Sequence, residues 1–225
     1  MSDYSLFDIA GPIMIGPSSS HTAGAAKIGL IARHVFGKQP KKVLFNLHGS
    51  FAQVYAGHAT DRALVAGILG MPTFDKRLPQ AFELASQEGV EYKFRPVNLG
   101  KNAHANTVQI DFEDQPEFSV TGCSVGGGKI KIEKIGQFEV QLSCSHARQH
   151  LLLIWHKFDY SFSTQIEDLS NKQDFEVLFS KRDQNHIEKA LTALVSPVPF
   201  AEELMQLIEK SDLVQQTRLI SELPV

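Results

Sequence analysis

Thiols are scarce in this chain of 225 residues: it has two cysteines, Cys123 and Cys144, and they form no C-x-x-C pair. Two thiols cannot build a disulfide scaffold and fit a reduced, cytoplasmic protein. Nor can they ligate an iron–sulfur cluster unaided, since such clusters usually take about four thiolates. Positive charge is not in excess either. Twenty-two basic residues stand against 25 acidic ones, a formal net charge of −3. With no basic cluster or aromatic-interleaved basic stripe, nucleic acid and anionic membranes are not expected partners. No apolar run approaches the ~20 residues of a membrane span. The start, Met1-Ser2-Asp3-Tyr4-Ser5, lacks the basic and apolar regions of a signal peptide. H-E-x-x-H is missing, and the nine histidines show no tight zinc spacing.

What is present is a hydrophobic content of 43%, enough for one large or two small cored domains. The densest polar feature is Gly16-Pro17-Ser18-Ser19-Ser20-His21-Thr22-Ala23-Gly24. Ser and Thr cap helix N-termini by accepting from unpaired first-turn N–H groups, and this stretch holds more hydroxyls than one cap requires. The plain reading is a capped helix with a polar lead-in. The functional reading is a carboxylate or phosphate site, in which hydroxyls, an imidazole and the positive end of a helix dipole act together.

Behind it, Ile28, Ile31, Ala32, Val35 and Phe36 recur at helical spacing, and Gly37 with Pro40 makes a stop. The pattern predicts a helix over 23–36, a strand over 41–47 and a small-residue segment after Gly49-Ser50. A second helix is expected with Thr60 as its N-cap, and a third over 78–88. From Val90 the period becomes two, with successive strands around 90–94, 108–112, 118–120, 130–132 and 138–142. This is an α+β pattern: a mixed or antiparallel sheet with helices packed on it. The first domain is taken as 1–144. A small α+β domain follows over 145–225, with strands at 151–155 and 175–179 and helices at 187–195 and 200–210.

Three further polar clusters sit where loops meet regular elements: His48–Ser50, His58–Asp61 and His104–Thr107. Loop positions on a rigid scaffold are where catalytic groups are commonly presented. Each has a plainer reading as well, since Asp61 could serve the helix dipole and Asn106 a turn. Gly122-Cys123-Ser124-Val125-Gly126-Gly127-Gly128 implies a sharp turn or a close backbone approach. No helix follows it, so it is no dinucleotide fingerprint, and it lacks the Gly-Lys-Ser/Thr of a P-loop.

Taken in order, these segments resemble the beta chain of the bacterial iron–sulfur-dependent L-serine dehydratases. The residues carrying the resemblance are Phe7-Asp8-Ile9, Gly11-Pro12, Met14 to Gly24, Gly49-Ser50-Phe51-Ala52, Gly57-His58 with Thr60-Asp61, His104 with Asn106-Thr107, and Ser124 to Gly128. They span about residues 5–135. The resemblance implies conversion of L-serine to pyruvate and ammonia, without pyridoxal phosphate. It implies a 4Fe-4S cluster on a separate alpha chain or a fused domain, with no metal ligands in this chain. It also implies site residues: His58, His21 and Asp61 in catalytic or orienting roles, and Ser18, Ser19, Ser20, Thr22 and Asn106 against the substrate. His48 stands where Tyr is expected, and Ala105 where Pro is common. Relatives often carry a small ACT-type regulatory domain at the C-terminus; residues 145–225 have a suitable size but lack the Asp-x-Pro-Gly turn. The competing reading is a non-catalytic module that binds serine or another small anion and regulates.

Overall fold

The computed structural model describes residues 14–115, 118–143, 149–183 and 186–221. Phe7 to Pro12 of the sequence pattern, Cys144 and the expected domain boundary at 144–145 lie outside them. The described residues fall into two compact units, the first within 14–136 with 141–143 and the second within 137–140 with 149–221, so the strand at Phe138–Ser143 is divided between them.

In the first unit, Ser18 is extended and its hydroxyl accepts the His21 N–H. One π-helical turn, Ser19–Ala23, then runs directly into helix α1, Gly24–Phe36. Gly37 ends α1 in the left-handed conformation with its N–H on the Arg33 carbonyl, as the Gly stop signal predicts. Strand β1 (Lys42–Leu47), helices α2 (Gly49–Val54) and α3 (Thr60–Ile68), a 3-10 turn at Leu78–Gln80 and helix α4 (Ala81–Gln87) follow. Strands β2 (Glu91–Pro96), β3 (Thr107–Phe112), β4 (Ser119–Gly126), β5 (Lys129–Ile135) and β6 (Phe138–Ser143) come next. The sheet order is β2-β1-β3-β4-β5-β6. β2 joins β1 in parallel, while β1–β3, β3–β4 and β4–β5 are antiparallel. This is the expected mixed sheet.

Alternation decides which side of the sheet is covered. Val43, Phe45 and Leu47 of β1 are buried with Val108, Ile110 and Phe112 of β3, to which they are paired. α1 lies on β4, where a Cβ at Gly122 would stand 3.1 Å from the Ile28 Cγ2. α1 and α3 cross at Gly29 and Gly67, where a Cβ on Gly67 would meet the Ala26 carbonyl oxygen at 2.3 Å. That backbone-to-backbone approach brings the two helices together.

Two local expectations are corrected in this unit. The segment after Ser50 is the short helix α2, whose single buried residue, Phe51, leaves no period to read. Thr60 is the first helical residue and not the N-cap. The His58 N–H reaches the Val54 carbonyl and the Thr60 N–H the Tyr55 carbonyl, so the chain winds tightly out of α2. The reversal is made at Ala59, with φ of 56°, a left-handed conformation uncommon for a non-glycine residue.

The second unit contains β7 (His150–Lys157), α5 (Tyr160–Ser170), β8 (Glu176–Arg182), β9 (Lys189–Ser196), α6 (Glu202–Lys210) and β10 (Val214–Ile220). Its sheet order, β10-β7-β9-β8, with this βαββαβ sequence, is the ferredoxin-like arrangement. The helix expected at 187–195 is instead strand β9, paired on both sides. Residues 190–195 are all buried, so a central strand covered on both faces shows no alternation and its Ala and Leu content reads as helical. α5 and β10 were not anticipated from the sequence.

His156 of β7 is buried under Phe162, its Nε2 2.9 Å from the Thr192 hydroxyl, which is 2.9 Å from the Ser180 hydroxyl. Burial lowers its pKa, although the Lys157 carbonyl and the Asp159 charge oppose that. Unfolding frees this histidine to protonate at its ordinary pKa of about 6.5. Its contribution to stability is therefore complete above pH 6.5 and lost as pH falls from there towards the folded-state pKa. The thermal midpoint of the second unit is expected to drop between pH 7.5 and 5, and His156→Gln to flatten that dependence in calorimetric scans.

Candidate functional site

The first turn before α1 is assembled from its own hydroxyls. Ser18 spends its Oγ on the cap, 3.1 Å from the His21 N–H, and also lies 3.4 Å from the Ser20 Oγ. The Ser18 carbonyl takes the N–H groups of Thr22 and Ala23. The earliest N–H groups of a helix have no intrahelical acceptor, and here they belong to Ser19 and Ser20. They stand at the positive end of an unbroken helical run of 18 residues, Ser19 to Phe36, where a carboxylate is favoured.

Three of the four polar clusters meet at His21. Its Nδ1 lies 3.1 Å from the Ser20 Oγ and its Nε2 lies 3.1 Å from the Ser50 Oγ on α2. The His58 ring is 5.1 Å away, centroid to centroid, and Phe51 packs edge-on at 5.5 Å. The buried Thr22 hydroxyl donates to the His58 carbonyl at 3.0 Å, which ties the two loops together. Burial and the neighbouring His58 charge both push the His21 pKa down, so the ring is neutral at neutral pH and carries one nitrogen able to accept a proton. His58 itself is exposed.

The other clusters arrive differently. Asp61 is in the first turn of α3, buried, and its carboxylate accepts the Arg62 N–H at 2.8 Å. Desolvation raises its pKa despite that bond and the Arg62 charge. Its own charge acts on Tyr92 of β2. His104 is exposed, its Nδ1 accepting the Asn106 N–H. The 104–107 loop contributes chiefly through its backbone: the Ala105 carbonyl accepts the Phe51 N–H, and the Asn106 carbonyl accepts the Ser124 N–H.

Three buried polar atoms around this region take no hydrogen bond: Thr60 Oγ1, Asn106 Oδ1 and Ser124 Oγ. Unpaired buried groups of this kind each cost about 1–3 kcal/mol and call for an explanation. Ser124 presses on the start of α1, where a Cβ at Gly24 would stand 2.2 Å from its Oγ. Three consecutive positive φ angles at Gly126, Gly127 and Gly128 make the β4–β5 reversal just beyond it.

Metal-binding chemistry is not supplied by these residues. Among the described residues no three His, Cys, Asp or Glu side chains gather as a ligand set. Cys123 is buried beside Glu133 and its thiol is pushed up to about 12, so it keeps its proton. Among the described residues the donor set does not fit an iron–sulfur cluster. No helix among the described residues is long and apolar enough to cross a membrane.

Ser50 was quoted in the sequence pattern without a role, and only its distance to His21 singles it out. A Gly-Ser at a strand end before a short helix carries no local signal for that contact.

Residues 5–135 match the family model for the serine dehydratase beta chain. The chain is 50% identical over 143 residues to the L-serine dehydratase beta chain of Peptoniphilus asaccharolyticus. It is 48% identical over 143 residues to the probable L-serine dehydratase beta chain of Bacillus subtilis strain 168. Both alignments take in 63% of this chain and 64% of the relative, so the match spans just under two thirds of each relative's length. L-serine dehydratase 2 of Escherichia coli K12 is 32% identical over 155 residues, covering 58% of this chain and 34% of that protein. With a model match over more than half its length and the polar clusters of that region gathered around His21, the chain belongs to the serine dehydratase beta chain family.

Proposed function

We propose that this chain is the beta subunit of a cytoplasmic iron–sulfur L-serine dehydratase that converts L-serine to pyruvate and ammonia. The observation that carries the reading is His21, neutral and part-buried, held between two hydroxyls and beside His58 at the positive end of α1. Because the described donors do not fit a cluster, the 4Fe-4S group is assigned to the alpha chain, where it would supply Lewis-acid chemistry at the substrate hydroxyl.

This chain's residues bind and handle protons. The substrate carboxylate takes the N–H groups of Ser19 and Ser20 and the hydroxyls of Ser18 and Ser19 at the helix start. The unpaired Asn106 Oδ1 is an acceptor for its ammonium group. His21 and His58 are the acid/base pair, with Thr22 holding His58 in register and Asp61 anchoring the first turn of α3. The ferredoxin-like second unit is the proposed ACT-like regulatory part.

The test is to purify this chain alone and with the alpha chain, anaerobically with iron, and to follow pyruvate from L-serine. Pyruvate is expected only from the pair. Activity from this chain alone overturns the two-subunit reading. Serine binding to this chain, with no association with the alpha chain, favours the regulatory module.

A further inference from the structure

The two hydroxyls on His21 have different origins. Ser20 is its neighbour in the loop, whereas Ser50 lies 29 residues away and is brought there by the fold. Its placement is tightly built. The His48 N–H bonds the Thr107 carbonyl at 3.0 Å and the Phe51 N–H bonds the Ala105 carbonyl at 3.3 Å. Between them Gly49 has φ of +58°, and a Cβ there would meet the Ala105 carbonyl oxygen at 2.6 Å. The end of β1 and the 104–107 loop thus clamp the start of α2 from both sides of Ser50.

A neutral imidazole has one nitrogen that donates and one that accepts, and the hydroxyls on each side must match. Ser18 Oγ already accepts the His21 N–H and is 3.4 Å from the Ser20 Oγ, and its second lone pair can receive the Ser20 proton. With the Ser20 proton on Ser18, the order is Ser50 O–H to Nε2, Nδ1–H to Ser20 Oγ, Ser20 O–H to Ser18 Oγ; the reverse order, with Nε2–H to Ser50, spans the same distances and is what the experiment below distinguishes.

We propose that Ser50 is a positioning residue for the dehydration, fixing the Nδ1–H tautomer of His21. The inference rests on the proposed function for its kinetic consequence, but not for the tautomer. The titratable group facing His21 is His58, whose charge and the burial of the ring together keep His21 neutral.

The experiment has two arms. In the first, the free chain is labelled with 15N-histidine and the His21 nitrogens are read at pH 7.5. The wild type is expected to show a protonated Nδ1 and an unprotonated Nε2. Ser50→Ala should mix the tautomers, and Ser50→Thr should keep the wild-type pattern. In the second, the two-chain enzyme carrying Ser50→Ala is expected to lose about 10²-fold in kcat with KM within about twofold, and Ser50→Thr to recover most of it. Thermal midpoints matching the wild type separate these effects from unfolding. A protonated Nε2 in the wild type, nitrogen shifts unchanged by Ser50→Ala, or normal kcat in that variant each overturns the inference. If the wild-type pair makes no pyruvate, the functional reading fails while the nitrogen shifts still decide the tautomer.

Discussion

His21→Ala is expected to lower kcat of the two-chain enzyme by about 10³-fold, within the range that positioned acid/base groups contribute. The substitution removes the one ring on which three polar clusters converge: Ser20 and Ser50 at its nitrogens and His58 beside it. It leaves the capping Ser18 and the backbone of the turn in place, since the cap bond is made to the His21 N–H and not to its side chain. KM should therefore move far less than kcat, because the contacts proposed for the substrate carboxylate survive. His58→Ala tests the pair from the other side. The His58 charge pushes the His21 pKa down, so its removal lets that pKa rise towards the ordinary value of about 6.5. His21 then protonates at higher pH, and the acid limb of the activity profile moves upward. Rate measurements on both variants from pH 5 to 9 check this. Near-normal turnover in His21→Ala would remove the acid/base role, and an unmoved acid limb in His58→Ala would show that the two rings do not communicate.

The second large effect is on stability. Gly67→Val is expected to destabilise the first unit by about 3 kcal/mol or more, the upper end for forcing atoms into a packed contact, and to lower its melting midpoint by about 10 °C. A Cβ at Gly67 would meet the Ala26 carbonyl oxygen at 2.3 Å, the Leu30 nitrogen at 2.6 Å and the Gly29 carbonyl carbon at 2.8 Å. These are backbone atoms inside a helix and cannot rotate away, so α1 and α3 must separate. The His58 loop leads into α3 and the His21 turn leads into α1, so separation also pulls the two imidazoles apart. Gly57→Ala is the control. Its added Cβ has as its nearest neighbour the Val54 carbonyl oxygen at 3.8 Å, and the stability should stay within about 0.5 kcal/mol of wild type. Calorimetry on both variants, with the His21 ring signals followed by NMR, reads the packing and the site together. An unchanged midpoint in Gly67→Val would mean that the helix crossing is looser than its geometry indicates.

Much of the first unit was legible because its signals are local. The period of Ile28, Ile31, Val35 and Phe36 marks α1, and Gly37 stops it with a left-handed turn. Alternation in Val108, Ile110 and Phe112 marks β3 because one side of the sheet is covered. The same logic fails where both sides are covered or the element is short. β9 buries every residue from 190 to 195 and loses its alternation; α2 is six residues long and buries one. Thr60 had the chemistry of a cap, yet the Tyr55 carbonyl captured its N–H and moved the reversal to Ala59.

The candidate site divides along the same line. By itself the sequence determined the family resemblance, the α+β class and the concentration of hydroxyls with one imidazole at a helix start. These depend on residue type and on spacings of a few positions. Only the tertiary structure decided which groups meet: that Ser50 reaches His21 and that Thr22 holds the His58 loop. Hydrogen bonds across tens of residues are set by sheet register and by the depth at which α1 and α3 cross at Gly29 and Gly67, and neither quantity leaves a periodic trace in the chain.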